Sequence, residues 1–152
     1  MLSQKAKYGI RALLYLSKQK AGRPVVIREI AEKERLPRKF LEAILLEMKE
    51  AGLLQSRPGK GGGYTLHRSA DSIPLSRIIR IMDGPLAPIP CVSQTAYAPC
   101  NDCLDERTCV IRAVMKRVRD ATAQLLDETS LGDMARQQDQ LTGALAFLDY
   151  HI

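Results

Sequence analysis

The 152-residue chain has no tryptophan, two phenylalanines, two histidines and only 5% aromatic residues. Its core has to come from the aliphatic part of a composition that is 45% hydrophobic. No run of about 18 apolar residues occurs, which argues against a membrane span. The opening MLSQKAKYGIRALLYL has the outline of a secretory leader, but Arg11 interrupts its apolar positions and no cleavage-type site follows. A cytoplasmic protein without a membrane partner is expected. No second histidine lies near His67, so His67 reads as a surface residue rather than a ligand. The length suits one ordinary domain and an appendage.

What the chain does have is positive charge, unevenly placed. Residues 1–83 hold 17 Lys and Arg against 8 Asp and Glu, a balance of +9. Residues 84–152 hold 6 against 9, a balance of −3. A basic N-terminal half points to a polyanionic partner.

The most informative stretch in that half is Pro37–Tyr64, PRKFLEAILLEMKEAGLLQSRPGKGGGY. Phe40, Leu41, Ile44, Leu45 and Met48 recur at helical spacing, and Pro37 suits the start of that helix. Gly52 reads as a left-handed cap. Leu53–Gln55 then starts a strand, residues 58–63 make a glycine-rich tip around Lys60, and Tyr64–Leu66 closes a two-stranded wing. Upstream, Ser3 caps a helix expected over 4–20, Val25–Ile27 is a strand-like run, and 28–34 is a short helix. The turn Arg35-Leu36-Pro37 joins the short helix to the next, which is helix-turn-helix spacing. Pro74 opens a further helix that ends at Gly84.

The fold class expected is mainly α with a small β-wing: a winged helix-turn-helix DNA-binding domain over 1–83, with the second helix of the pair entering a major groove. The polar side of that helix carries Lys39, Glu42, Ala43, Leu46 and Glu50. Arg38 and Lys39 in its first turn are candidates for bases or phosphates. Two readings of Glu42 stand together: an acceptor for a cytosine amino group, or a plain exposed acid. Arg28 is a phosphate candidate, and Arg57, Lys60 and Gly61 of the wing are candidates for phosphate or minor-groove contact.

Residues 84–108 show neither helical nor strand period and are broken by Pro85, Pro88, Pro90 and Pro99. A structureless segment of about 25 residues inside a compact chain is often functional. The four cysteines occupy this segment and its end: Cys91, Cys100, Cys103 and Cys109. In a cytosolic chain such clustering favours metal or redox chemistry over structural disulfides. Four thiolates suffice for a 2Fe–2S or a 4Fe–4S cluster. Zinc, or a metal-free thiol switch using Cys100 and Cys103, are the alternatives. A thiol oxidoreductase would need a strand–helix setting around that pair, and none is visible, so the chain is read as no enzyme. From Cys109 a long helix follows, over 109–130, with an apolar stripe at Ile111, Val114, Met115, Val118, Thr122, Leu125 and Leu126. It has little of its own to pack on, which favours self-association into a homodimer. Ser130 with Asp133 resembles a capping box for a brief last helix, and a weakly capped tail completes 131–152.

In this order, the residues resemble the IscR, NsrR and CymR family of bacterial winged-helix transcription regulators, the Rrf-two family. The carriers are Leu2-Ser3-Gln4-Lys5 with Tyr8 and Arg11-Ala12-Leu13, then Phe40-Leu41-Glu42, Ala51-Gly52-Leu53, Ser56, Gly59, Gly62-Gly63-Tyr64, Ile73, Gly84 and the cysteines before the long helix. The resemblance covers residues 1–131. It implies a homodimer joined through the long helix and binding a partly palindromic operator. It also implies, for many members, an iron–sulfur cluster on three loop cysteines with a fourth ligand from elsewhere. Cys103 and Cys109 match the family's closing pair; Cys91 matches the first position with a longer gap, and Cys100 is extra. Tyr8 stands where some relatives have a ligating acid, and Pro58 where a wing arginine is usual.

Overall fold

Residues 2–149 are described by the computed structural model. Helix α1 (Gln4–Ser17) opens the chain. The Ser3 hydroxyl accepts the Ala6 N–H at 3.0 Å, satisfying an orphan donor of the first turn. The Ser3 backbone N–H donates to Asp83, 80 residues away. The helix stops at Ser17 rather than continuing to residue 20. The Ser17 hydroxyl and the Gln19 amide turn back to the carbonyls of Leu14 and Tyr15, competing with continued helix.

Of the strand-like run 25–27 only Val25 pairs. It exchanges two backbone hydrogen bonds with Tyr64, of 2.9 and 2.8 Å, adding a short third edge to the wing. Val26 is already the N-cap of α2 (Ile27–Glu34). Arg35, left-handed at φ 51°, and the 2.9 Å bond from the Leu36 N–H to the Ala31 carbonyl turn the chain into α3 (Arg38–Glu50), with Pro37 as its N-cap. Gly52 follows α3 at φ 76°, the left-handed conformation that glycine adopts without steric cost. Strands β1 (Leu54–Arg57) and β2 (Gly63–Leu66) pair antiparallel, with Ser56 opposite Tyr64 and Arg57 opposite Gly63.

A single-turn helix at Ala70–Ser72 leads to α4 (Leu75–Asp83). The core of this head is aliphatic, as the composition requires. Leu13, Val25, Ile30, Leu41, Ile44, Leu45, Met48, Leu53, Ile73 and Ile78 are all fully buried in it. Phe40, expected with the α3 stripe, is instead 40% exposed. It sits on the margin of that stripe, and its ring meets the edge of Tyr8 on α1, with centroids 5.7 Å apart.

Between Gly84 and Cys109 the chain has no regular structure except one 3-10 turn, Pro90–Val92. Helix α5 (Val110–Glu128) has Cys109 as its N-cap and no fully buried residue. Helix α6 (Leu131–Asp149) takes the place of the expected brief helix and tail as far as residue 149; positions 150–152 of that tail lie outside the described residues. Its start is the predicted capping box: the Ser130 hydroxyl accepts the Asp133 N–H at 3.0 Å, and Asp133 accepts the Ser130 N–H at 2.9 Å. Leu131 is fully buried in the head core. Ion pairs Arg136–Asp71 and Lys18–Asp139 hold the next turns against the head. With its first turns anchored, a helix propagates at little further cost. No described helix is long and apolar enough to cross a membrane.

The capping box makes a pH prediction. The Ser130 backbone and hydroxyl, then Arg136, hold the Asp133 carboxyl down at about 2, below its ordinary 3.8. A lowered carboxylate pKa contributes stability that is complete above the unfolded value and lost as pH falls through the folded one. The difference in stability between the wild type and Asp133→Asn should be constant above about pH 5 and shrink as pH falls from about 4 towards 2. Urea titrations across that range check it; a difference independent of pH would assign the cap's contribution to shape alone.

Candidate functional site

Helix α3 buries one side and offers the other. Leu41, Ile44, Leu45 and Met48 seat it in the core, while Arg38, Lys39, Glu42, Ala43, Leu46 and Glu50 are exposed. Leu46 is half exposed. Each candidate for DNA contact is therefore at the surface, but not in the same condition. Arg28 is paired with Glu32 at 2.7 Å, and Arg38 with Glu42 at 3.1 Å, both four residues apart on one helix. Lys39, Arg57 and Lys60 have no ion-pair partner among the described residues. Exposed pairs such as Arg38–Glu42 are weak, so a phosphate can take the guanidinium from its carboxylate at small cost. Glu42 thus has a role on the free protein, holding Arg38 along the helix.

The wing follows α3 directly. Leu53 and Leu54 are buried; Gln55 to Gly61 are exposed. Arg57 ends β1, and Lys60 and Gly61 form the tip. An anchor absent from the sequence reading is Arg77 of α4. Its guanidinium donates to the Ala51 carbonyl at 3.1 Å, at the C-terminal end of α3, where a cation favours the helix dipole.

The four cysteines lie outside the head core. Cys91 is buried in the turn Pro90–Val92. Cys100 is exposed, and its carbonyl accepts the Cys103 N–H at 3.4 Å, so the two share one turn. Cys109 caps α5, its sulfur accepting the Arg112 N–H at 3.4 Å. Partial burial, with Cys109 and Cys100 beside it, pushes the Cys103 thiol above its ordinary range. Tyr97 closes the loop by donating to Glu106, which also pairs with Arg112 at 3.8 Å.

The donor set suits an iron–sulfur cluster in kind and number: four soft thiols within 19 residues, with Cys109 and Cys100 near enough to Cys103 to help burial hold its proton. Among the described residues no three His, Cys, Asp or Glu are gathered as an ion-holding group, so a cluster on these thiols would require loop 94–108 to draw together.

On α5, Ile111, Val114, Val118 and Leu125 are between 44% and 66% exposed and lie on one stripe. Leu141, Leu145 and Leu148 of α6 add exposed apolar surface at helical spacing. A face of this kind calls for a partner.

Comparison with known proteins places this arrangement. A family model named Rrf2 and described as an iron-dependent transcriptional regulator matches residues 2–137. A protein named as a helix-turn-helix type transcriptional regulator, rrf2-like, from Rhodobacter capsulatus is 41% identical over 137 residues, 88% of this chain and 91% of the relative. The solved structure of CymR, titled the global cysteine regulator of Bacillus subtilis, is similar with a TM-score of 0.74 at 30% identity, covering 90% of this chain and 97% of that one. The structure of IscR from T. potens is similar with a TM-score of 0.73 at 26% identity, covering 93% and 90%.

Proposed function

Because the chain belongs to the Rrf2 family of transcriptional regulators, and its fold is the winged helix of that family, we propose that it is a cytoplasmic homodimer binding a partly palindromic operator in double-stranded DNA, with its affinity set by an iron–sulfur cluster on the cysteine loop. The observation that carries the DNA-binding part is the exposed basic surface formed by α3 and the wing, on a head whose formal balance is +9. Two such heads on one dimer reach successive major grooves, roughly 34 Å apart.

Within each head the division of labour follows from exposure and pairing. Lys39, Arg57 and Lys60 meet phosphate without first giving up a carboxylate. Arg38 leaves Glu42 on binding, which frees Glu42 to accept from a cytosine amino group. Arg28 exchanges Glu32 for a phosphate in the same way. The protein has no catalytic part in this function.

Cys91, Cys100, Cys103 and Cys109 are the residues that would hold the cluster, which when bound supplies an iron- and redox-sensitive centre of charge beside α5. What the chain itself contributes is a crowded thiol: burial, then Cys109, Cys100 and Glu106, raise the Cys103 pKa, and a bound cation would relieve the part that comes from neighbouring negative charge once the proton has left. A second reading, a thiol switch without metal, is supported by the single turn shared by Cys100 and Cys103.

A salt series on a gel-shift assay tests the DNA-binding face. Lys39→Ala removes one cation per head, so the slope of log affinity against log salt should fall by about two per dimer, with weaker binding to every sequence. An unchanged slope and affinity would mean that DNA meets a different face.

A further inference from the structure

We propose that Arg119 is a positioning residue for operator binding: it fixes the angle between the head and α5, and through that angle the separation at which two heads meet the duplex. The inference rests on the dimeric DNA-binding function proposed above, and it names what holds the heads apart.

The head meets α5 at a joint with a firm end and an open end. At the firm end Pro74 and Ser130 form an antiparallel bridge. The Leu75 N–H donates to the Thr129 carbonyl and the Leu131 N–H to the Ile73 carbonyl, both at 2.8 Å. Ile73 and Leu131 are fully buried there. Two adjacent backbone bonds fix where the elements touch but leave the angle between α4 and α5 soft. A little further out, Arg80 of α4 reaches Asp127 of α5 at 3.3 Å. That pair is one-third and one-half exposed, and such pairs hold weakly. Beyond it a narrow cleft, partly open to solvent, lies between Arg80, Pro85, Leu86, Ala87, Arg119 and Ala123. Of its apolar lining only Ala123 belongs to α5 and none to α4, so the two helices share no apolar contact within it.

What closes the open end is the chain itself. From Gly84 it runs to the turn at Pro90–Val92, where Cys91, Val92 and Ser93 are 7%, 2% and 8% exposed. Arg119, its side chain only 12% exposed, donates from Nη1 to the Val92 carbonyl, and Asp120 holds the guanidinium from the other side. Among the described residues this is the one side-chain hydrogen bond from α5 to residues 85–95. A planar guanidinium serves both partners at once; a lysine ammonium on the same backbone does not reproduce that fork. Cys91 is the residue next to the bonded carbonyl, so movement of the cysteine loop is felt at this strut before it is felt at α3.

The test uses duplexes carrying an operator selected from a random pool by the wild-type protein. Half-sites are placed at the selected spacing and one base pair closer or farther, and a single half-site duplex is run beside them. The wild type should lose at least about tenfold in affinity on either change of spacing, against which a soft joint is judged. Arg119→Ala and Arg119→Lys should bind the whole series within about threefold, with dimerisation and single half-site affinity unchanged. A merely structural role would weaken the single half-site equally. Retention of the tenfold preference in the variants, or a uniform loss on all duplexes, overturns the role of Arg119. Absence of any spacing preference in the wild type overturns the two-headed function and this inference with it. The lysine variant keeps the test intact should the alanine variant fold poorly.

Discussion

Gly63→Ala should unfold the wing and lower the stability of the whole head by about 4 kcal/mol. Gly63 lies at φ 141°, outside the range that side-chain-bearing residues adopt readily. A Cβ there would stand 2.4 Å from the carbonyl carbon and oxygen of Val25 and 2.8 Å from its nitrogen. These are backbone atoms, so no side chain can swing away. Relief requires β2 to leave Val25, which breaks the two bonds between Val25 and Tyr64. Two backbone hydrogen bonds at about 1 kcal/mol each and local strain of about 1–3 kcal/mol give the figure. Thermal unfolding should shift down by roughly 8–16 °C for a chain of this size. Gly61→Ala is the control: an added methyl meets nothing within 4 Å at the wing tip, so only the backbone cost of about 1 kcal/mol applies. Amide exchange at Val25 and Tyr64 should lose protection in the first variant and keep it in the second. Equal melting temperatures for the two would show that the chain accommodates the methyl by a route that spares the Val25 pairing.

The same contact marks what local pattern reveals and what it does not. The α3 stripe, the Gly52 cap, the hairpin and the Ser130–Asp133 box are legible because each signal lies within a few residues of its partner. The pairing of Val25 with Tyr64 spans 39 positions and leaves no periodic trace. Phe40 has the right spacing for the core, but whether a margin residue is covered depends on how α1 crosses α3. The length of α6 depends on Lys18 and Asp71, which lie far away in sequence. At the candidate interface, helical spacing lets Glu42 pair with Arg38 (i, i+4) or with Lys39 (i, i+3), and only the fold shows that Arg38 takes it. Arg119 is not readable in this way. On a helical wheel it is one more cation beside the α5 stripe, and only the fold brings it to Val92.

Cys103→Ala should abolish the visible absorption expected of the wild type purified without oxygen from iron-replete cells, and remove its bound iron and sulfide. Cys103 is central to the loop's sulfur chemistry. It shares a turn with Cys100, and Cys109 and Cys100 act on its thiol together. Its raised pKa means that the bare thiol keeps its proton, so loading with a cation has to release that proton and is favoured by rising pH. Removing this sulfur takes away the donor that the others flank. Cys100→Ala tests the extra cysteine separately: if four thiolates of one subunit hold the cluster, this variant also loses its colour. Operator affinity supplies the second readout. A coupling of about 1–3 kcal/mol between cluster and DNA, the usual range, separates loaded from cluster-free wild type by about 5- to 150-fold, and Cys103→Ala should fall at the cluster-free value. A colourless, iron-free wild type would leave the DNA-binding head intact and transfer sensing to the thiols of Cys100 and Cys103. In that case oxidation, and not iron, should move the operator affinity, and Cys103→Ala should block the response.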